Sequence, residues 1–401
     1  MQNTAENTAQ TPEPAPRVSE SFNTEPDLSG SAEDKISALL ALADIQVNGQ
    51  RPWDIQIHNP DTYARILSRG SLGFGESYIE GWWDCDALDE MFTRLLHARL
   101  PTKLKGMAKV RLVLSAAQHG LFNFQSRARA FEVGEAHYDI GNELYTRMLD
   151  STMSYSCGYW AEAENLEQAQ FNKLDLICRK LKLEPGMSLL DIGCGWGGLA
   201  EHAARHYGVK VTGITISKEQ KKLAEQRVAD LPVEIKLIDY RELDGQFDRI
   251  VSVGMFEHVG PKNYRTYFTT AARLLAPEGL FLLHTIGEEH TSVTPDAFIH
   301  KYIFPNGKVP SREQITHASL DILRLEDWHN FGPDYDKTLM AWKQNFEASW
   351  SEIAEQYSPS FYRMWRYYLC SCAGYFRARR GQLWQLVFSK PEAMGEYRSL
   401  R

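Results

Sequence analysis

The chain has 401 residues, a formal net charge of -8 and 24% charged residues. That length predicts more than one domain, and the acidic balance disfavours nucleic acid as a partner. No uncharged apolar run approaches the roughly 20 residues needed to span a bilayer. No basic-then-apolar leader opens the chain, and six cysteines without paired zinc spacing read as reduced thiols, so a cytoplasmic protein without a metal centre is expected.

Residues 1–34, rich in Thr, Glu, Pro, Ser and Asn, read as a disordered, mildly acidic tail. Residues 35–130 read as a smaller N-terminal α+β domain ending in a basic connector. Helical periodicity runs over 35–43, 53–57 alternates like a strand, and Asn59-Pro60-Asp61 is turn chemistry. Tyr78, Trp82 and Trp83 cluster on one short segment. They read first as a small aromatic core and second as a face resting on lipid. Over 101–129, Lys103, Lys105, Lys109, Arg111, Arg127 and Arg129 interleave with apolar residues. That pattern fits a solvated helix face or contact with an anionic bilayer surface. In 136–160 polar groups and aromatics alternate without a period, which predicts loops over a site; Cys157 alone reads as an ordinary buried thiol.

Residues 131–401 read as an α/β domain. A helix is predicted over 171–181. In Ser188-Leu189-Leu190-Asp191-Ile192-Gly193-Cys194-Gly195-Trp196-Gly197-Gly198 an apolar run ends in a carboxylate, then a glycine turn, then an amphipathic helix over 199–207. This is the first strand-loop-helix unit of a doubly wound sheet. Its glycines let backbone approach a ligand closely. Asp191 disfavours a pyrophosphate and suits a cationic ligand such as S-adenosylmethionine. Further strands are predicted over 209–216, 233–238, 247–253 and 280–284, with a helix over 263–275. The second strand ends in Thr215-Ile216-Ser217 instead of a ribose-binding acid, which leaves a hydroxyl or Gln220 for that role. The third ends in Asp239-Tyr240-Arg241, where the aromatic suits an adenine face. Glu257 and His284 fall at the C-terminal ends of neighbouring strands, where such sheets bind ligands; a purely structural pairing is the competing reading. Residues 291–331 read as an insertion roofing the pocket. Trp342, Phe346, Trp350, Ile353 and Tyr357 recur at helical spacing, a second helix covers 361–376, and 383–389 reads as a last, antiparallel strand.

Several stretches taken together resemble the cyclopropane-fatty-acyl-phospholipid synthases, within the cyclopropane/mycolic acid synthase family of S-adenosylmethionine-dependent methyltransferases. They are Tyr155-Ser156-Cys157-Gly158-Tyr159-Trp160, the glycine turn, Phe256-Glu257-His258-Val259-Gly260 and His284-Thr285-Ile286-Gly287. Asn306-Gly307, Trp328-His329-Asn330-Phe331-Gly332 and Cys372-Ala373-Gly374 before Phe376-Arg377 add to them. The resemblance covers about 35–389. It implies a Rossmann-like class I methyltransferase sheet, mostly parallel with its last strand antiparallel. The implied activity is methylene transfer from S-adenosylmethionine to the cis double bond of an acyl chain in membrane phospholipid. It implies bound bicarbonate as the base, cradled by Cys157, Glu257, His284, the backbone of Ile286, and Tyr335. The family also places an active-site cysteine at Cys372, which reads here as packing or substrate-adjacent because a thiolate beside a carbocation risks alkylation. For the methyl donor it implies Tyr155, Ser156, Gly193, Gly195, Thr215, Gln220, Tyr240 and Arg241; the strand-end argument adds Asp191. A homodimer in peripheral contact with the inner face of the membrane is implied too. The alternatives are a relative that methylates without closing a ring, and a membrane-binding module with a vestigial donor fold.

Overall fold

The computed structural model describes residues 30–99, 141–292 and 294–401. The expected tail up to residue 29, the basic connector and residues 136–140 lie outside the described residues.

Among the described residues the N-terminal part is three helices and a two-stranded ribbon. The helix Ala32–Ala41 starts ahead of the expected position 35, because Ser31 and Asp34 form a reciprocal capping box there. The helix Asp61–Ile79 is kinked at Gly70, whose φ of 58° lies in the left-handed region. The expected strand at 53–57 shrinks to β1 (Gln56–Ile57), antiparallel to β2 (Trp83–Asp84). The helix Leu88–His97 follows. Tyr78 and Trp83 are buried; Trp83 stacks on Phe74 at 4.3 Å, and Tyr78 lies 5.6 Å from Tyr367. Trp82 is partly exposed, its ring 4.6 Å from the Arg65 guanidinium.

The main sheet contains β3 (Ser188–Ile192), β4 (Lys210–Thr215), β5 (Val233–Leu237), β6 (Phe247–Val253), β7 (Leu275–Gly287), β8 (Arg324–Asn330) and β9 (Gln382–Ser389). Its order is β5-β4-β3-β6-β7-β9-β8. β5, β4, β3, β6 and β7 run parallel, and β9 is antiparallel to both β7 and β8. The chain reverses direction of winding between β3 and β6, the position at which doubly wound sheets bind ligands. This is the doubly wound, mostly parallel sheet anticipated above, with three differences. β7 begins at Leu275, because Pro277-Glu278-Gly279 is absorbed by a register shift opposite Phe247 and Arg249. β9 is last in the chain but not at the edge. The edge is β8, inside the stretch read as a pocket roof, and the same stretch also holds the helices Ala297–Tyr302 and Arg312–Ser319. Only its first half, up to Val309, lines the cavity described below.

The N-terminal helices pack into one continuous core with the helices Asn142–Met148, Pro333–Ile353 and Pro359–Arg377. Polar ties reinforce that seam. Arg363 donates to the Tyr78 and Trp83 carbonyls and to Asp84, and the buried Glu76 carboxylate accepts from Lys301 at 2.7 Å and Tyr302 at 3.1 Å. Among the described residues no helix is long and apolar enough to cross a membrane.

Candidate active site

A cavity of about 690 Å³ opens beyond the C-terminal ends of β3, β4, β5 and β6. One end is built by the glycine turn. Gly193 and Gly195 take φ values of 82° and 54°, and a Cβ on Gly193 would lie 2.9 Å from Met255 Cβ. At the end of β4 the buried Thr215 hydroxyl donates to Gln220 Oε1 at 2.9 Å, so the hydroxyl and the amide form a unit where an acid is more usual. After β5, Asp239 holds the Arg241 guanidinium through both carboxylate oxygens at 2.8 and 2.7 Å. The Tyr240 ring rests edge-on against Tyr267 at 5.3 Å. Tyr155 bonds Tyr368 hydroxyl to hydroxyl at 2.8 Å. Every residue expected for the methyl donor lines this end: Tyr155, Ser156, Asp191, Gly193, Gly195, Thr215, Gln220, Tyr240 and Arg241. Gly-to-backbone proximity, a buried carboxylate and an aromatic face suit a cationic adenosyl ligand.

The expected proton-handling group splits into two layers. Glu257, Ile286, Tyr335 and Cys372 line the cavity; Cys157 and His284 do not. Those two lie just behind its wall. Cys157 is packed with Phe331, Leu383, Ile286 and Tyr335, and the His284 ring stands 5.9 Å from Phe331. Glu257 sits on the short 3-10 turn after β6, where Oε1 accepts from the Ile286 amide at 2.7 Å. The Ile286 amide thus holds the Glu257 carboxylate in place. Glu257 Oε2 is buried with no partner among the described residues, and burial pushes its pKa up. His284 Nδ1 faces the Gln385 amide nitrogen at 3.3 Å, while Nε2 is buried and unpartnered among the described residues. An amide donor at Nδ1 leaves the ring proton on Nε2. Burial, with Lys173 and Lys180 nearby, holds the His284 pKa well below the ordinary value, so the ring is neutral. Burial also raises the Tyr335 hydroxyl well above its ordinary pKa, helped by Cys157, Glu257 and Cys372 around it. The thiols of Cys157 and Cys372 are raised by burial and stay protonated. That state suits packing and weak hydrogen bonding better than nucleophilic attack.

The far end of the cavity is apolar. Phe92, Leu95 and Leu96 come from the N-terminal region, and Phe298, Ile299 and Phe304 from the first half of the insertion.

The model of the mycolic acid cyclopropane synthetase family matches residues 125–386. The chain belongs to that family. As a mycolic acid cyclopropane synthetase family member it is an S-adenosylmethionine-dependent methyltransferase. Over 352 residues it is 57% identical to the cyclopropane-fatty-acyl-phospholipid synthase of Escherichia coli K12, covering 88% of this chain and 92% of that one. A probable fatty acid methyltransferase of Pseudomonas putida is 42% identical, over 65% of this chain and 70% of that one. Among solved structures, mycolic acid cyclopropane synthase CmaA1 complexed with SAH and CTAB superposes with a TM-score of 0.62 at 34% identity, covering 65% of this chain and 98% of that one. The cyclopropane synthase MmaA2 from Mycobacterium tuberculosis gives 0.61 at 33% identity, covering 65% of this chain and 98% of that one.

Lys173, Asp239 and Tyr368 also line the cavity and Gln385 contacts His284, four positions not singled out from the sequence. Lys173 had one available signal, a lysine on the apolar face of the helix Leu166–Lys180 beside Leu174 and Ile177. Gln385 had another, an amide inside an otherwise apolar strand.

Proposed function

We propose that this methyltransferase transfers a methylene group from S-adenosylmethionine to the cis double bond of an unsaturated acyl chain in membrane phospholipid, leaving a cyclopropane ring. One observation carries the reading: a single cavity joins the glycine turn, the Glu257 and Tyr335 wall and an apolar end. An alkene is a feeble nucleophile, so the acyl chain and the donor's reactive carbon must be held close and in line. When bound, S-adenosylmethionine supplies an electrophilic methyl group. The backbone at Gly193 and Gly195, with Asp191, Tyr240 and the Thr215–Gln220 unit, holds the donor. Phe92, Leu95, Leu96 and Phe304 receive the acyl chain and exclude water, which would quench positive charge on it. The Tyr335 ring offers that charge an aromatic face.

Closing the ring requires a proton to leave the new methyl group. Glu257 Oε2 and the His284 Nε2 proton are a buried acceptor and a buried donor with no hydrogen-bond partner among the described residues, groups of the kind that suit a small hydroxylated oxyanion. We read bicarbonate as that ion; when bound it supplies a basic oxygen near the reacting carbon. Cys157 backs the cradle through packing. A homodimer resting on the inner face of the membrane completes the proposal; the lipid contact, though not the dimer, draws support from the apolar residues that the N-terminal region adds to the cavity and from the phospholipid in the E. coli relative's name.

The test is an incubation of the purified protein with S-adenosylmethionine and vesicles of unsaturated or saturated phosphatidylethanolamine, followed by mass analysis of the acyl chains. Unsaturated chains gain one methylene and saturated chains are unchanged. A saturated methyl branch, with two further hydrogens, would contradict ring closure.

A further inference from the structure

The helix Leu166–Lys180 lies behind β3 and carries a charge that the proton-handling cradle does not use. Lys173 is 2% exposed, yet it reaches the donor end of the cavity. Its Nζ donates to Ser156 Oγ at 3.1 Å. Among the described residues no carboxylate comes within ion-pair distance of it. Asp191, at the end of β3, is buried to the same 2% and lines the same part of the cavity. Among the described residues no group hydrogen-bonds its carboxyl. A buried ammonium and a buried carboxyl, both short of partners, are costly to keep. A ligand that carries both opposite charges removes that cost.

We propose that Lys173 is the specificity-determining residue for the amino-acid end of the methyl donor, orienting the Ser156 hydroxyl and answering the donor's carboxylate while Asp191 answers its ammonium. The inference rests on the donor-site reading of the glycine turn and deepens it. Electrostatics agree with the geometry. Burial pulls Lys173 down to about 8 and pushes Asp191 up to about 7, and each opposes the other's shift. Asp150 and the neutral Cys157 thiol also face Lys173, and the neutral His202 and His284 rings feel its charge. Near neutral pH both charges at the cavity floor therefore depend on what sits between them. A zwitterion stabilises both at once, and an uncharged thioether stabilises neither.

The competing role is a prop that merely shapes the loop at Ser154 and Ser156. Calorimetry with two ligands separates the two. S-adenosylhomocysteine has the amino-acid end; 5′-methylthioadenosine keeps the adenosine and the sulfur but lacks it. Lys173→Met should weaken S-adenosylhomocysteine about tenfold or more, as for a lost hydrogen bond to a charged group, and leave 5′-methylthioadenosine within about twofold. Its thermal midpoint should hold or rise, because an apolar side chain replaces a buried charge. Parallel weakening of both ligands, or none, overturns the inference. A measurement on the unaltered protein does not depend on the variant folding: decarboxylated S-adenosylhomocysteine should bind about tenfold or more weaker than S-adenosylhomocysteine. Equal binding overturns the inference as well. If the unaltered protein binds neither S-adenosylhomocysteine nor 5′-methylthioadenosine, the donor-site reading itself fails.

Discussion

Glu257→Gln isolates one oxygen. Oε1 accepts the Ile286 amide at 2.7 Å, and a glutamine carbonyl keeps that bond. The change is confined to Oε2, which is buried without a partner among the described residues. An unpartnered amide NH2 there costs about 1–3 kcal/mol, but the oxygen it replaces is unpartnered too, so the net change in stability should stay within about 1 kcal/mol. The chemical effect is larger. Glutamine cannot replace the acceptor that holds the proton-accepting ion, and displacing that ion should cost turnover as much as losing a positioned general base, about 10²–10⁴-fold. That corresponds to about 3–5 kcal/mol in the barrier. Two assays read the two ends of the cavity separately: turnover at saturating donor and vesicle substrate, and calorimetric affinity for S-adenosylhomocysteine. Turnover should fall within the stated range while affinity changes less than about threefold. If donor affinity collapses and turnover at saturation persists, Glu257 belongs to the donor site and its place in proton removal is wrong.

Further outcomes follow from the same geometry. Tyr335→Phe keeps the ring stacked on Phe376 at 4.5 Å and removes only the hydroxyl, so turnover should fall about tenfold or more with donor affinity intact; unchanged turnover excludes the hydroxyl from the cradle. Stripping bicarbonate from the assay should lower turnover about tenfold, with recovery on adding it back and no effect on S-adenosylhomocysteine binding. Turnover indifferent to bicarbonate would remove that ion from the account. Gly193→Ala forces a side chain onto a residue at φ 82°, with its Cβ 2.9 Å from Met255. The strain of about 1–2 kcal/mol should lower the thermal midpoint and weaken the donor together. His284 is neutral in the fold, whereas the unfolded chain takes up its proton below about 6.5. Its contribution is therefore present above pH 6.5 and lost as pH falls, by about 1.4 kcal/mol per pH unit. Urea unfolding from pH 7 to 5 should show the parent protein losing stability faster than His284→Gln; parallel slopes would mean the folded ring takes up its proton as readily as the unfolded chain does.

The central parallel strands β3 and β7 were legible because their buried stretches read as apolar runs, and β5, at the sheet edge, because it alternates apolar and charged residues. β6 occupies Phe247–Val253, as its pattern predicts. β8 was not legible because it is an edge strand whose sequence, Arg324-Leu325-Glu326-Asp327-Trp328-His329-Asn330, looks like loop. Its charges are satisfied by distant segments: Asp327 lies 3.5 Å from Lys180 and is held by Arg401, and Glu326 accepts from Ser389. The same limit governs the site. Glycine spacing and strand ends announce Gly193, Asp191, Glu257 and His284, since local sequence dictates each position. Lys173 and Gln385 acquire meaning only from Ser156 and His284, which the fold brings to them across long stretches of chain. Helical periodicity likewise marks a buried face without saying what covers it. The pattern over 342–357 gives no hint that helices Pro333–Ile353 and Pro359–Arg377 share their core with residues 36–92.

Ring closure distinguishes this account from plain methylation, and the fate of the transferred hydrogens reads it directly. With a donor whose methyl group is fully deuterated and vesicles of unsaturated phospholipid, the account predicts acyl chains that keep two of the three deuterons, the third having passed to the captured ion and on to water. Chains that keep all three would show that no proton is taken from the transferred carbon, and the cradle of Glu257, His284 and Tyr335 would need another purpose.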